Sequence, residues 1–226
     1  MKDTQLLRIA VSERAGEVAA LLRRPRDARW LLVLAHGAGA DMHHAFMQAM
    51  SERLAERRIA SLRFQFPYME KGRRAPDRAA VLQDTVRAAI GAAAKHAGEL
   101  PLLAGGKSMG GRMTSLAAAE TGLPGVRALV FFGFPLHAAG RPSAERGEHL
   151  EQVSLPMLFL QGTRDKLAEL ALLRPICQQL GRRATLHEVE NGDHSFHVLK
   201  RSGRTDNEAL DELVDSVSDW TEKLVV

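Results

Sequence analysis

The sequence predicts an α/β fold: a mostly parallel central sheet covered by helices on both faces, with an antiparallel pair of strands leading in. Three observations predict it. Trp30-Leu31-Leu32-Val33-Leu34-Ala35 is a continuous apolar run of strand length, as expected of a strand buried on both faces. From there onward strand-like runs alternate with helix-period runs, the pattern of βα units. The 226 residues show no internal repeat, no linker and no shift in composition, which predicts one domain over residues 1–226.

Taken in order, Gln5–Val11 and Glu17–Leu22 read as two short strands around the turn Glu13-Arg14-Ala15-Gly16. After the strand at 30–35, Phe46, Met50 and Leu54 recur at helical spacing within Ala45–Arg58. Ile59–Phe66 reads as a strand stopped by Pro67. Asp77–Ala97 is a long helix with Leu82, Val86, Ala89 and Ala93 on one side. Leu102–Gly105 is a short buried strand and Met109–Glu120 the helix after it. Arg127–Phe134 and Met157–Gln161 are further strands, the second followed by a helix near Lys166–Leu180. Ala184–Val189 is the last strand, and the closing helix carries the stripe Leu210, Leu213, Val214, Val217 and Leu224. Leu136–Leu155 is the one candidate lid: short, polar and proline-containing, it has room for at most one helix, and a charged loop is the equal alternative.

Composition narrows the function classes. Hydrophobic residues make up 45% and charged residues 26%, which excludes collagen-like, low-complexity and wholly disordered chains. The single cysteine, Cys177, cannot form an internal disulfide, which points to a reducing compartment and a cytoplasmic protein. The opening MKDTQLLRIAVSERAGE lacks the apolar core of a signal peptide, and no apolar run reaches the roughly 20 residues of a spanning helix. A net charge of +4 with scattered arginines argues against a nucleic-acid partner. The local cluster Lys71, Arg73, Arg74 and Arg78 reads as a solvated loop, with an anion-binding rim as the lesser alternative.

The strongest chemical signal is Gly106-Lys107-Ser108-Met109-Gly110, set between a predicted strand and a predicted helix. A serine on so sharp a turn has a strained backbone, and glycines two residues either side let the turn close. The hydroxyl then stands above the sheet, where the helix N-terminus favours developing negative charge. A phosphate-binding loop is the rival reading of Gly106-Lys107-Ser108, but it needs glycine five residues before Gly106, where Pro101 stands.

A serine nucleophile needs a base, and the base an orienting carboxylate. Asp165 follows the strand 157–161 in Gly162-Thr163-Arg164-Asp165, and His194 follows the last strand in Asp193-His194-Ser195-Phe196. Serine, acid and histidine thus come in that order at three strand ends. Asp193 and His197 are the rivals; His187 lies inside a strand. His43-His44 and His194-x-x-His197 have no Cys or acidic partner at ligand spacing, so no metal is expected. The small-residue loop His36-Gly37-Ala38-Gly39-Ala40-Asp41 would supply an oxyanion donor from the Ala38 N–H, with the Met109 N–H as the second. As a dinucleotide loop it fails, because its third glycine would fall at Met42. His36, Tyr68 and His137, all at strand ends, are candidate pocket residues.

These residues resemble the α/β-hydrolase superfamily. Two further stretches, Arg63–Asp77 and Phe134-Pro135-Leu136-His137, resemble a group of small, lidless bacterial proteins akin to dienelactone hydrolases, a group that includes a domain in a subunit of the animal nonspecific-lethal chromatin complex. The resemblance spans nearly the whole chain and implies the α/β-hydrolase fold with little or no lid. Dienelactone hydrolases use a cysteine nucleophile; here the elbow holds Ser108, so their substrate does not carry over. The expectation is a serine hydrolase of a carboxylic ester or thioester, needing no cofactor, with a small-molecule acyl substrate. The oligomeric state stays open. A scaffold protein without turnover, or an acyltransferase or peptidase on the same triad, are the alternatives.

Overall fold

The computed structural model describes residues 4–224; the first three residues of the stretch read for a leader lie outside them. The strands are β1 (Thr4–Ser12), β2 (Gly16–Arg23), β3 (Trp30–Ala35), β4 (Ile59–Phe64), β5 (Leu102–Lys107), β6 (Val126–Phe132), β7 (Met157–Gly162) and β8 (Ala184–Val189). The helices are α1 (Ala45–Glu56), α2 (Pro67–Glu70), α3 (Ala79–Ala97), α4 (Met109–Thr121), α5 (Leu170–Leu180) and α6 (Asp206–Thr221). The strands form one sheet in the order β1-β2-β4-β3-β5-β6-β7-β8. β1 pairs β2 and β2 pairs β4 antiparallel; every later pairing is parallel.

Alternation within each strand builds two cores. Leu31, Val33 and Ala35 of β3 join the core under α3, α4 and α5, while Trp30, Leu32 and Leu34 join the core under α1 and α6. All six are buried, which is why the strand reads as an unbroken apolar run. On α6 the stripe Leu213, Val214 and Val217 is fully buried, worth roughly 1.5–3 kcal/mol per side chain. Thr205 starts that helix with a capping box closed by Glu208.

The departures from the sequence reading have local causes. Pro67 does end the strand region, but it also opens the one-turn helix α2, because a proline at the first helical position gives up no bonded N–H. The helix expected from Lys166 starts at Leu170, since the Asp165 carboxylate holds the Leu167 N–H at 2.7 Å in a loop instead. β6 stops at Phe132, where Gly133 turns at φ +70°. Within the candidate lid, residues 145–152 form a 3₁₀ helix packed on α4: Leu150 is buried, and His149 Nε2 lies 2.7 Å from Ser115 Oγ. Among the described residues no helix is long and apolar enough to cross a membrane.

Candidate active site

Ser108 sits between β5 and α4 with φ +50° and ψ −117°, a strained conformation for a residue with a side chain. The neighbouring glycines answer to close approach of backbone. A methyl on Gly106 would stand 2.3 Å from the Ala35 carbonyl oxygen, and one on Gly110 2.5 Å from the same oxygen and 2.6 Å from that of His36. The turn at Ser108 is therefore wedged against the end of β3, and the loop after β3 is brought to Ser108. A methyl on Gly37 would lie 3.6 Å from Ser108 Cβ.

The three strand-end residues meet. His194 Nε2 lies 2.8 Å from Ser108 Oγ, and His194 Nδ1 2.7 Å from Asp165 Oδ2. The Asp165 side chain is fully buried and His194 is partly exposed. Asp165 is fixed on both oxygens: Oδ1 accepts from the Leu167 N–H, and Oδ2 also accepts from Gln161 Nε2 at 2.5 Å. Gln161 in turn accepts the Phe134 N–H at 3.0 Å. Sequence reasoning passed over Gln161; the signal was a lone polar side chain inside the apolar run of β7.

The rivals have other partners. Asp193 Oδ1 accepts from the N–H groups of Ser195 and His197, shaping the histidine loop. His197 pairs with Asp206, which raises its pKa, and His187 pairs with Glu212. The N–H groups of Ala38 and Met109 have no acceptor among the described residues.

Beside Ser108 opens a cavity of about 640 Å³, walled by Ala45, Phe46, Met47, Ala49, Phe196 and Leu210, with Ala38 and Lys107 also in its lining. None of the three candidate pocket residues lines it. His36 is fully buried: Nδ1 bonds the Gly37 carbonyl at 2.9 Å, Nε2 accepts from the Phe66 N–H at 3.1 Å, and burial lowers its pKa to about 4. A neutral His36 thus ties the loop after β3 to the chain after β4. Tyr68 is fully buried in the core, packed at 6.4 Å on Phe66. His137 faces away, bonded to the Ala138 carbonyl and the Glu169 carboxylate, in a separate hollow with Arg141 and Pro142. All three follow strands, but strand-end position did not decide which way their side chains turned. Cys177 is buried in α5, where burial raises its thiol to about 11. Of the basic cluster, Arg73 pairs with Asp77 and Lys71 reaches the Arg14 carbonyl; all four residues are exposed, and Arg78 is the residue before α3. Among the described residues no group of three or more His, Cys, Asp or Glu could hold a metal ion.

Comparison with known proteins supplies the family. A model of the alpha/beta hydrolase domain matches residues 28–222. Among solved structures, a dienelactone hydrolase from Anabaena variabilis is 21% identical, with 99% of this chain and 100% of that chain covered at a TM-score of 0.77. A serine hydrolase without a lid from Xanthomonas campestris is 20% identical, with 96% of each chain covered at 0.71. An esterase domain from Rhodothermus marinus is 16% identical, with 96% and 97% covered at 0.71. These likenesses show a common fold, while the family match extends over β3 to the end of α6. The chain belongs to the alpha/beta hydrolase domain family and shares the fold of the dienelactone hydrolase and of the lidless serine hydrolase it is similar to.

Proposed function

We propose that the protein is a serine hydrolase that cleaves a carboxylic ester or thioester through an acyl-enzyme. The observation that carries this reading is the unbroken hydrogen-bonded chain from Ser108 Oγ through His194 to the doubly anchored Asp165. Ser108 Oγ attacks the acyl carbonyl while His194 Nε2 takes its proton. Asp165 holds the imidazole in the tautomer with the proton on Nδ1 and stabilises the imidazolium that forms. The N–H groups of Ala38 and Met109 receive the oxyanion; losing one such donor costs roughly 100- to 1,000-fold in rate. The imidazolium then protonates the leaving alcohol or thiol. Water, deprotonated by His194, hydrolyses the acyl-serine.

The cavity suggests the acyl side. Alanine, methionine, leucine and phenylalanine make up most of its wall, with His44, Lys107, Ser195, His197 and Asp206 as polar lining, which suits an apolar acyl group of several carbons or an aromatic one. The test is labelling with a fluorophosphonate probe, together with hydrolysis of 4-nitrophenyl esters of increasing chain length. Labelling is expected in the wild type and absent in Ser108→Ala, with a rate optimum at medium chain length. A folded wild type that takes no label would overturn the enzyme mechanism.

A further inference from the structure

Lys107 precedes the nucleophile, and the triad does not use it. Its side chain does not run into solvent. It turns under the histidine loop, where Nζ donates to the His194 carbonyl oxygen at 2.5 Å. The ammonium also stands 5.5 Å from the centre of the Phe196 ring and 5.9 Å from that of Phe46, and those two rings stack at 6.0 Å. No carboxylate lies within ion-pair distance of it among the described residues; Asp165 and Asp193 act on it only from farther off.

The loop it holds needs holding. Asn191 and Phe196 both have positive φ, at +61° and +65°, on either side of His194. Such residues persist only where their surroundings over-determine them. Room for the tether comes from Gly133: a methyl there would stand 3.1 Å from Lys107 Nζ, 3.3 Å from the His194 carbonyl oxygen and 3.4 Å from His194 Cε1. The ammonium, on a residue that also borders the cavity beside Ser108, is thus engaged by one carbonyl and two aromatic faces.

We propose that Lys107 is a positioning residue for the reaction: by bonding the His194 backbone from the residue next to Ser108, it fixes the distance between base and nucleophile. This rests on the ester-hydrolase reading for its kinetic readout only. The groups facing the ammonium are the His194 carbonyl and imidazole, Phe46 and Phe196, with Asp165 and Asp193 beyond. Burial lowers the lysine to about 8, so its charge, and with it the strongest form of the tether, is lost above that pH.

Two variants test it. Lys107→Met keeps the length and removes the donor; Lys107→Arg keeps a charged donor at every working pH. With a 4-nitrophenyl ester, Lys107→Met is expected to lose about tenfold in kcat with KM unchanged, as a misplaced catalytic group does. Lys107→Arg recovers part of that loss. The wild type declines in kcat above about pH 8, and neither variant shows that decline. Amide hydrogen exchange across residues 191–197 reads the same tether without turnover: it rises in Lys107→Met and stays near wild type in Lys107→Arg. Unchanged kcat in Lys107→Met, a loss confined to KM, or unchanged exchange would each overturn the proposal. A wild type that takes no fluorophosphonate sinks the ester-hydrolase reading instead, and the exchange experiment still decides the role of Lys107.

Discussion

At φ +50° the backbone of Ser108 carries strain that a glycine would relieve and an alanine would not. Ser108→Gly and Ser108→Ala both remove the hydroxyl, so both are expected to lose at least about 1,000-fold in ester hydrolysis. They part in stability: urea denaturation should find Ser108→Gly about 1 kcal/mol more stable than Ser108→Ala. Equal stabilities would mean that the elbow stores no strain. Gln161 makes the complementary case. Its amide joins the Asp165 carboxylate to the Phe134 N–H, so Gln161→Leu leaves a buried donor and a buried carboxylate oxygen short of a partner. The expected cost is about 1–3 kcal/mol in unfolding and a fall in kcat with little change in KM. A variant with wild-type stability and turnover would remove Gln161 from the supports of the site.

Between elements, the contact that matters most is the close approach of α4 and β5 to the end of β3. Gly110→Ala would drive a methyl into two carbonyl oxygens that belong to backbone, at 2.5 and 2.6 Å, with no flexible side chain to yield. The expected result is a loss of about 3 kcal/mol or more, or failure to fold, read by thermal melting. A melting temperature within a degree or two of wild type would show that the strand end can move. This is also the level at which the sequence was most legible. Both-sided burial of β3 and the α6 stripe sit in residue type and period, and Ser108, Asp165 and His194 follow the ends of β5, β7 and β8 in the order the chemistry requires. What the sequence did not carry was direction. His36, Tyr68 and His137 also follow strands, yet His36 and Tyr68 turn into the core and His137 toward Glu169. The residues that wall the cavity come instead from α1, the histidine loop and α6, where Phe46 and Leu210 read only as members of apolar helical stripes.

Over the whole molecule, two histidines set an acid limit to stability. Burial lowers His36 and His149 to about 4 in the folded protein, whereas in the unfolded chain a histidine takes its proton near 6.5. Between those values the unfolded state binds more protons, so stability is whole above about pH 6.5 and is lost as pH falls toward 4. Fully buried His36 contributes a loss of order 2–3 kcal/mol by pH 4.5; His149, partly exposed, adds less. Urea titrations at pH 7 and 4.5 measure it, and a flat profile would mean that His36 is protonated in the fold or reached by water. The 3₁₀ helix that His149 pins to α4 has a second consequence. None of residues 136–155 borders the cavity beside Ser108. Lipases whose sites are capped by a mobile helix wake up when adsorbed at an oil–water boundary; here the candidate lid is fastened away from the cavity, and no other segment among the described residues stands over it. Its velocity should follow a smooth hyperbola as an ester passes its solubility limit, with no jump where droplets or micelles first form.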